Sequence, residues 1–293
     1  MPRSTTLLAP AKVNLHLGVH AQKDARGYHR VDSVMVALDL ADVVTARDAD
    51  GLSVTLDPPI DAPVEKATAF RAAKLLAAEL GIEPNVAITI ERHIPEKAGL
   101  GGSSADAGTV LRLLSQRWGV STSDPRVVSV ARRVGADVAF FLDPRAAYLA
   151  GAGDELVETF SQVPPIQMVL VMPECEGGST PAAYAAFDEN PVVPADPTPM
   201  REALRAGDAR AVSRLIANNL APAARLLAPE VGQVEEWLSA QPGVIAAQVT
   251  GSGACSFAIV ESADAAEQIA HAAKIRGWWA KPAMTVGFVG NIC

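Results

Sequence analysis

The chain is poor in the features that build secreted, membrane and metal-stapled proteins. Its 293 residues hold only three cysteines, Cys175, Cys255 and Cys293. An odd number at wide spacing gives neither a disulfide framework nor a zinc-ligand pattern, so a reducing, cytoplasmic setting is expected and no side chain is assigned to a metal. No apolar run approaches the roughly 18 residues of a membrane span, and the opening MPRSTTLLAPAKVN lacks the apolar core of a signal peptide. Neither secretion nor a membrane partner is expected. Positive charge is also scarce: 25 Lys and Arg stand against 33 Asp and Glu, for a net charge of -8. That balance argues against nucleic acid or an anionic membrane as partner, while a local basic pocket can still hold a small anion. There is no internal repeat, coiled-coil heptad or low-complexity tail. What is left is a globular chain, 49% hydrophobic, long enough for two domains at roughly 100 to 200 residues each. A small molecule is the expected partner.

Period-two patterns predict strands around Val13, Leu15, Leu17 and Val19 and around Val31, Val34, Val36 and Leu38, with short strands over 42–47 and 52–56. An alanine- and leucine-rich stretch predicts a helix over 65–80, stopped by Gly81 with Pro84 beyond. Val86, Ile88 and Ile90 alternate again, and helices are predicted over 104–116 and after Ser123-Asp124-Pro125. Strands are then expected over 138–142, 146–150 and 155–159. Composition shifts at Pro164-Pro165, which divides the chain into 1–162 and 163–293. The second part reads as a buried strand at 167–172, helices, a proline-rich connection over 191–199, then strand 244–250, glycine turn, strand 254–260, helix 264–275 and strand 284–289. This order suits a ferredoxin-like split βαβ layer. The 191–199 connection and Cys293 read as a flexible link and a frayed end.

One stretch stands apart. PEKAGLGGSSADAG, from Pro95 to Gly108, places small residues between a strand and a helix. Backbone N–H groups of such a loop, with the open start of the helix, can cradle phosphate. Two common nucleotide loops are excluded. No lysine follows Gly101 or Gly102 as a P-loop requires, and GLGGSS ends in serine where a dinucleotide fingerprint ends in glycine. By composition the loop is equally a phosphate cradle or a tight packing turn. Other candidates also carry plain readings. Lys12 reads as a surface lysine on a strand, and Asp137 as a turn or cap acid. Gly27-Tyr28-His29 reads as a turn, and Thr250-Gly251-Ser252-Gly253 as a hairpin loop. A tyrosine beside a histidine is also one way to recognise a planar base.

Taken together, Pro95-x-x-x-Gly99-Leu100-Gly101-Gly102-Ser103-Ser104-Ala105 resembles the signature of the GHMP small-molecule kinases, the group of galactokinase, homoserine kinase, mevalonate kinase and phosphomevalonate kinase. Pro10-Ala11-Lys12-Val13-Asn14-Leu15, Gly27-Tyr28-His29, Gly135-Ala136-Asp137-Val138, Thr180-Pro181 with Tyr184, and Thr250-Gly251-Ser252-Gly253 follow in family order. Within the group this set is similar to the branch that phosphorylates a cytidine diphosphate conjugate of methylerythritol to its 2-phosphate, on the mevalonate-independent route to isoprenoid precursors.

The resemblance implies an α+β, two-domain GHMP kinase fold: an N-terminal domain like domain 2 of ribosomal protein S5 over 1–162, and a ferredoxin-like C-terminal domain over 163–293. It implies ATP and Mg2+ as cofactors and a monomer or homodimer. Pro95, Ala98, Gly99, Leu100, Gly101, Gly102, Ser103 and Ser104 would hold the ATP phosphates. Asp137 would be the general base with Lys12 beside it; their pairing comes from the resemblance alone. Asn14, Tyr28, His29, Thr180, Tyr184, Gly251 and Gly253 would bind the substrate. The chain departs from the branch at Ser103, where a third glycine is common, at Ala67-Thr68, which replaces Asn-Leu, and at Lys97, read here as solvated. Two other readings stay open: a GHMP kinase of the homoserine or mevalonate type, and a non-catalytic metabolite-binding regulator on the same fold.

Overall fold

A computed structural model describes residues 4–161, 163–175 and 178–287. Two long antiparallel strands, β1 (Ser4–Lys23) and β2 (His29–Asp48), form its spine. The separate strand expected over 42–47 is the second half of β2, because its apolar alternation continues without a turn residue. β3 (Leu52–Asp57) leads through a single 3-10 turn at Val64–Lys66 to α1 (Thr68–Leu80). α1 starts three residues later than the helix expected over 65–80, and it closes on Gly81 in the left-handed region (φ 66°), the usual glycine stop. β4 (Val86–Glu91), α2 (Gly102–Trp118) and α3 (Pro125–Val134) follow, then β5 (Ala147–Ala150) and β6 (Glu155–Thr159). The first sheet runs β3-β4-β2-β1, with β5 and β6 continuing from β2.

The second sheet is built from β7 (Gln167–Met172) and three strands near the C-terminus. Between them lie α4 (Thr180–Glu189), α5 (Thr198–Ala206), α6 (Ala209–Arg214), the two-residue β8 (Ala217–Asn218), α7 (Ala221–Leu227) and α8 (Pro229–Ser239). β9 (Val244–Val249), β10 (Ser256–Val260), α9 (Ala263–Ile275) and β11 (Trp279–Met284) complete it. All neighbours pair antiparallel in the order β11-β7-β10-β9, the ferredoxin-like arrangement. The last strand lies at Trp279–Met284, not 284–289. Residues 288 and 289, like Cys293, fall outside the described part. The stretch 138–142 is not a strand either: it belongs to a 3-10 helix, Ala136–Leu142. Its apolar run is buried throughout, and a short continuous run carries no periodicity that separates strand from helix.

The first sheet is covered on one side by α1, α2 and α3, and on the other by the second sheet. β1 changes allegiance along its length. Ala9 packs toward the helices, while Ala11, Val13 and Leu15 pack toward the second sheet. The switch coincides with a register shift between Pro10 and Lys12, and a second shift follows between Asn14 and His16. Between those bulges, period-two alternation puts Lys12 and Asn14 on one side of the strand, opposite Val13.

Candidate functional site

Lys12 is only 3% exposed, and its ammonium lies 2.7 Å from Asn14 Oδ1 and 3.6 Å from Asp137 Oδ2. Asp137 stands in the first turn of the 3-10 helix and keeps 36% of its side chain exposed. Burial pulls the Lys12 pKa below the ordinary lysine value, against the opposing pull of Asp137. Asn14 is the hub. Its Nδ2 donates to Ser33 Oγ at 2.9 Å, while its Oδ1 accepts from the Gly251 N–H at 3.1 Å as well as from Lys12. The Asn14 N–H in turn donates to Thr250 Oγ1 at 3.2 Å. One strand of the first sheet is thereby fastened to the second glycine loop.

The first glycine loop lies against the same junction. The Lys12 N–H donates to the Leu100 carbonyl at 2.9 Å, and the Lys97 and Ala98 carbonyls accept from the Ala254 and Cys255 N–H groups, each at 3.1 Å. Gly99 (φ 74°) passes so close to the second loop that an added Cβ would stand 2.3 Å from the Thr250 carbonyl oxygen. Gly101 (φ 77°) leaves room for the Lys12 stem and Phe141, which an added Cβ would approach to 3.0 and 3.1 Å. α3, α4 and α9 begin with side-chain caps from Asp124, Ser179 and Ser262. α2 begins at Gly101 with none. Its first N–H groups and positive dipole end are left for a ligand in the cleft. Because α2 starts at Gly102 and not at 104, Gly102, Ser103 and Ser104 form its first turn.

These groups line one cleft of about 1090 Å3, and every residue assigned from the sequence lines it except Gly253. Gly253 sits behind the second loop, facing Ala224 and Val249. Also in the cleft, His29 is buried, with its ring 5.3 Å from Tyr184 and 5.7 Å from Phe187. His29 Nδ1 lies 2.7 Å from the His20 carbonyl, and Nε2 stands 3.1 Å from Asp188 Oδ1 without the geometry of a hydrogen bond. Burial, with the nearby Asp137 charge, pushes the Tyr184 phenol up to about 12, so it remains a neutral donor. Tyr28 is 57% exposed at the rim. Thr180 Oγ1 lies 3.0 Å from Ser252 Oγ, tying the start of α4 to the second loop. Lys97 adopts φ 53°, and its exposed side chain lines the cleft.

Sequence reasoning missed a carboxyl pair under the first glycine loop. Asp42, on β2, accepts from the His93 and Ile94 N–H groups at 2.5 and 2.8 Å and so shapes the entry to the glycine loop. Asp106, in the second turn of α2, lies against it. Burial, and then repulsion from Asp42, raises Asp106 well above the carboxylate range; burial also raises Asp42. The only signal in the sequence was an aspartate inside an otherwise small, apolar helix start. Ser33, Asp188 and Asn218 were missed as well, since nothing local to them marks a site. Among the described residues no cluster of three or more His, Cys, Asp or Glu could hold a metal ion, and no helix is long and apolar enough to cross a membrane.

Known proteins are similar to this chain in sequence and fold. The family model described as GHMP kinases N terminal domain matches residues 67–144, and that described as GHMP kinases C terminal matches residues 200–277. A Cereibacter sphaeroides protein named 4-diphosphocytidyl-2-C-methyl-D-erythritol kinase is 36% identical over 291 residues, covering 97% of this chain and 100% of its own. A crystal structure of 4-(cytidine 5'-diphospho)-2C-methyl-D-erythritol kinase superposes with a TM-score of 0.79 at 32% identity, covering 96% of this chain and 99% of that one. A homoserine kinase from Cytophaga hutchinsonii reaches a TM-score of 0.72 at 20% identity, covering 99% and 97%, which is a likeness of fold.

Proposed function

The chain belongs to the GHMP kinases, and we propose that within them it transfers the γ-phosphate of ATP to the 2-hydroxyl of 4-diphosphocytidyl-2-C-methyl-D-erythritol, giving the 2-phosphate and ADP. That reaction serves the route to isoprenoid precursors that bypasses mevalonate. The observation that carries the reading is the layout of the cleft. A lysine and a carboxylate meet beside a glycine loop, and a histidine and tyrosine stand together in the same cleft.

Phosphoryl transfer asks the protein mainly to position reactants and offset charge. The N–H groups at the start of α2, with the 98–104 loop, hold the ATP phosphates. The absence of Cβ atoms at Gly99 and Gly101 is what lets this backbone lie so near Lys12 and the second loop. Mg2+ would come with ATP, held by phosphate oxygens and the Ser103 and Ser104 hydroxyls, and when bound it offsets charge on the transferring group. As the substrate oxygen bonds to the γ-phosphorus and the bond to the ADP oxygen breaks, Asp137 takes the hydroxyl proton. Its partial exposure leaves an oxygen open to substrate while Lys12 fixes the other side. Lys12 also stabilises charge building on the transferring phosphoryl. Asn14 orients the ammonium.

Cytosine offers a flat face and a pairing edge with one donor beside acceptors. His29 supplies edge contacts, and Tyr184 and Tyr28 supply stacking surface. Thr180 and Gly251 also line the cleft and contact the rest of the substrate. ADP release in a coupled assay with Mg-ATP and this conjugate tests the reading, and an absence of substrate-dependent ADP refutes it. Asp137→Ala should lower kcat by roughly 10²- to 10⁴-fold, the usual worth of a general base, while calorimetry shows ADP affinity within about threefold of the parent. Near-parent kcat would remove Asp137 from the role.

A further inference from the structure

Asn218 does not line the cleft, yet its side chain is nearly sealed from solvent and all its polar atoms are engaged. Its Nδ2 donates to two carbonyls of the second glycine loop, Val249 O and Gly251 O, both at 2.9 Å. Its Oδ1 accepts from the Leu220 N–H, also at 2.9 Å. Only a primary amide of this length offers two donors and one acceptor in that fork. Asn218 lies on β8, which pairs in parallel with β1 at His16 and Leu17, a few residues beyond Lys12 and Asn14 on the same strand. It thus bridges the strand that carries Lys12 and the loop that packs against Lys12.

We infer that Asn218 is a positioning residue for phosphoryl transfer, acting on Lys12 through the second glycine loop; this rests on reading the cleft as the phosphoryl-transfer site. Fixing the Gly251 carbonyl turns the following N–H, that of Ser252, to the opposite side of the planar peptide. Fixing both carbonyls also restrains the two peptides that flank the one carrying the Gly251 N–H. That N–H donates to Asn14 Oδ1, the atom that accepts from the Lys12 ammonium. The tolerance is small. An added Cβ on Gly251 would lie 3.2 Å from the Gly99 carbonyl oxygen and 3.4 Å from Lys12 Nζ, so Gly251 is packed close to both the first glycine loop and the ammonium. Without the Asn218 donors, a backbone carbonyl is free to turn toward the buried cation and draw it from Asp137.

The test is Asn218→Asp, nearly isosteric, which replaces the NH2 group and its two donors with one oxygen facing two carbonyls. The expected result is a 10- to 100-fold fall in kcat with the ADP Kd, measured by calorimetry, within threefold of the parent. Asn218→Ser keeps one donor and is the variant to use if the Asp form does not fold, with a fall in kcat of at least fivefold expected. In a double-mutant cycle, Asn218→Ser should change the kcat of an Asn14→Ala background by less than twofold, because the two act in series. A kcat within twofold of the parent for a folded Asn218 variant overturns the inference, and so do losses that multiply in the cycle. A parent enzyme without turnover on the cytidine conjugate would instead overturn the reading of the site.

Discussion

Asp106 lies in the second turn of α2, with its carboxyl against Asp42 and one oxygen, Oδ1, without a hydrogen-bond partner among the described residues. Because its folded pKa is raised above the unfolded value near 3.8, the folded state binds more protons than the unfolded chain. The stability this contributes is complete below that value and is lost as pH rises through the folded pKa. Asp106→Asn keeps a donor toward Asp42 and removes the ionisation. Melting curves of parent and variant between pH 5 and 8 should therefore diverge as pH rises, with the variant gaining about 2–4 °C for each kcal/mol lost by the parent. A difference that stays flat with pH would contradict the assignment. At this scale Lys12, Asp137 and His29 stood out only through the family resemblance of their motifs, since each read alone as a surface lysine, a cap acid or part of a turn; the structure brings all three into one cleft. The Asp42 pair was not legible, because two acids distant in sequence reveal their contact only when the chain folds.

The two glycine loops act as elements by packing on one another, and Gly99 is the tightest point. Alanine there meets both the left-handed φ of 74° and the Thr250 carbonyl at 2.3 Å, a backbone atom in a loop held by the Thr250 N–H bond to Cys255 O. Gly119, at the other end of α2, has φ 69° and nothing within 4 Å of an added Cβ. Comparing the two alanine variants separates backbone strain from collision. Gly119→Ala should cost about 1 kcal/mol, the left-handed penalty alone, with parent-like kinetics. Gly99→Ala adds an overpacking cost of roughly 1–3 kcal/mol and should raise the ATP KM by about tenfold or more. Equal melting temperatures and equal KM values for the two variants would contradict the account. The loop was visible in the sequence as a strand-to-helix turn between an alternating run and an alanine-rich helix. Its start was misjudged by two residues because glycine and serine carry little helix signal. The 3-10 helix bearing Asp137 was read as a strand for a similar reason: Val138 to Leu142 is apolar at every position and has no period to read.

For the whole molecule, the order of strands and helices after β7 was enough to expect a ferredoxin-like layer, and the sheet follows it. What the order could not convey is how the two halves interlock. β8 is two residues long, too short for any alternation, yet it joins the first sheet from within the second half of the chain. The Asn14 hub likewise joins positions 236 and 237 residues apart, a distance over which local patterns say nothing. The resulting cleft is lined both by the first glycine loop and by the His29 and Tyr184 rings, and the rings separate the proposed reading from a kinase acting on a small alcohol. Fold likeness alone does not, since a homoserine kinase superposes with a TM-score of 0.72. The most direct measurement is kcat/KM with Mg-ATP for 4-diphosphocytidyl-2-C-methyl-D-erythritol, mevalonate and homoserine, assayed side by side on the same preparation. The account predicts a preference for the cytidine conjugate of at least about 10³-fold, the scale on which a site built to hydrogen-bond its substrate rejects one lacking those groups. Equal or faster turnover of either small alcohol would contradict it.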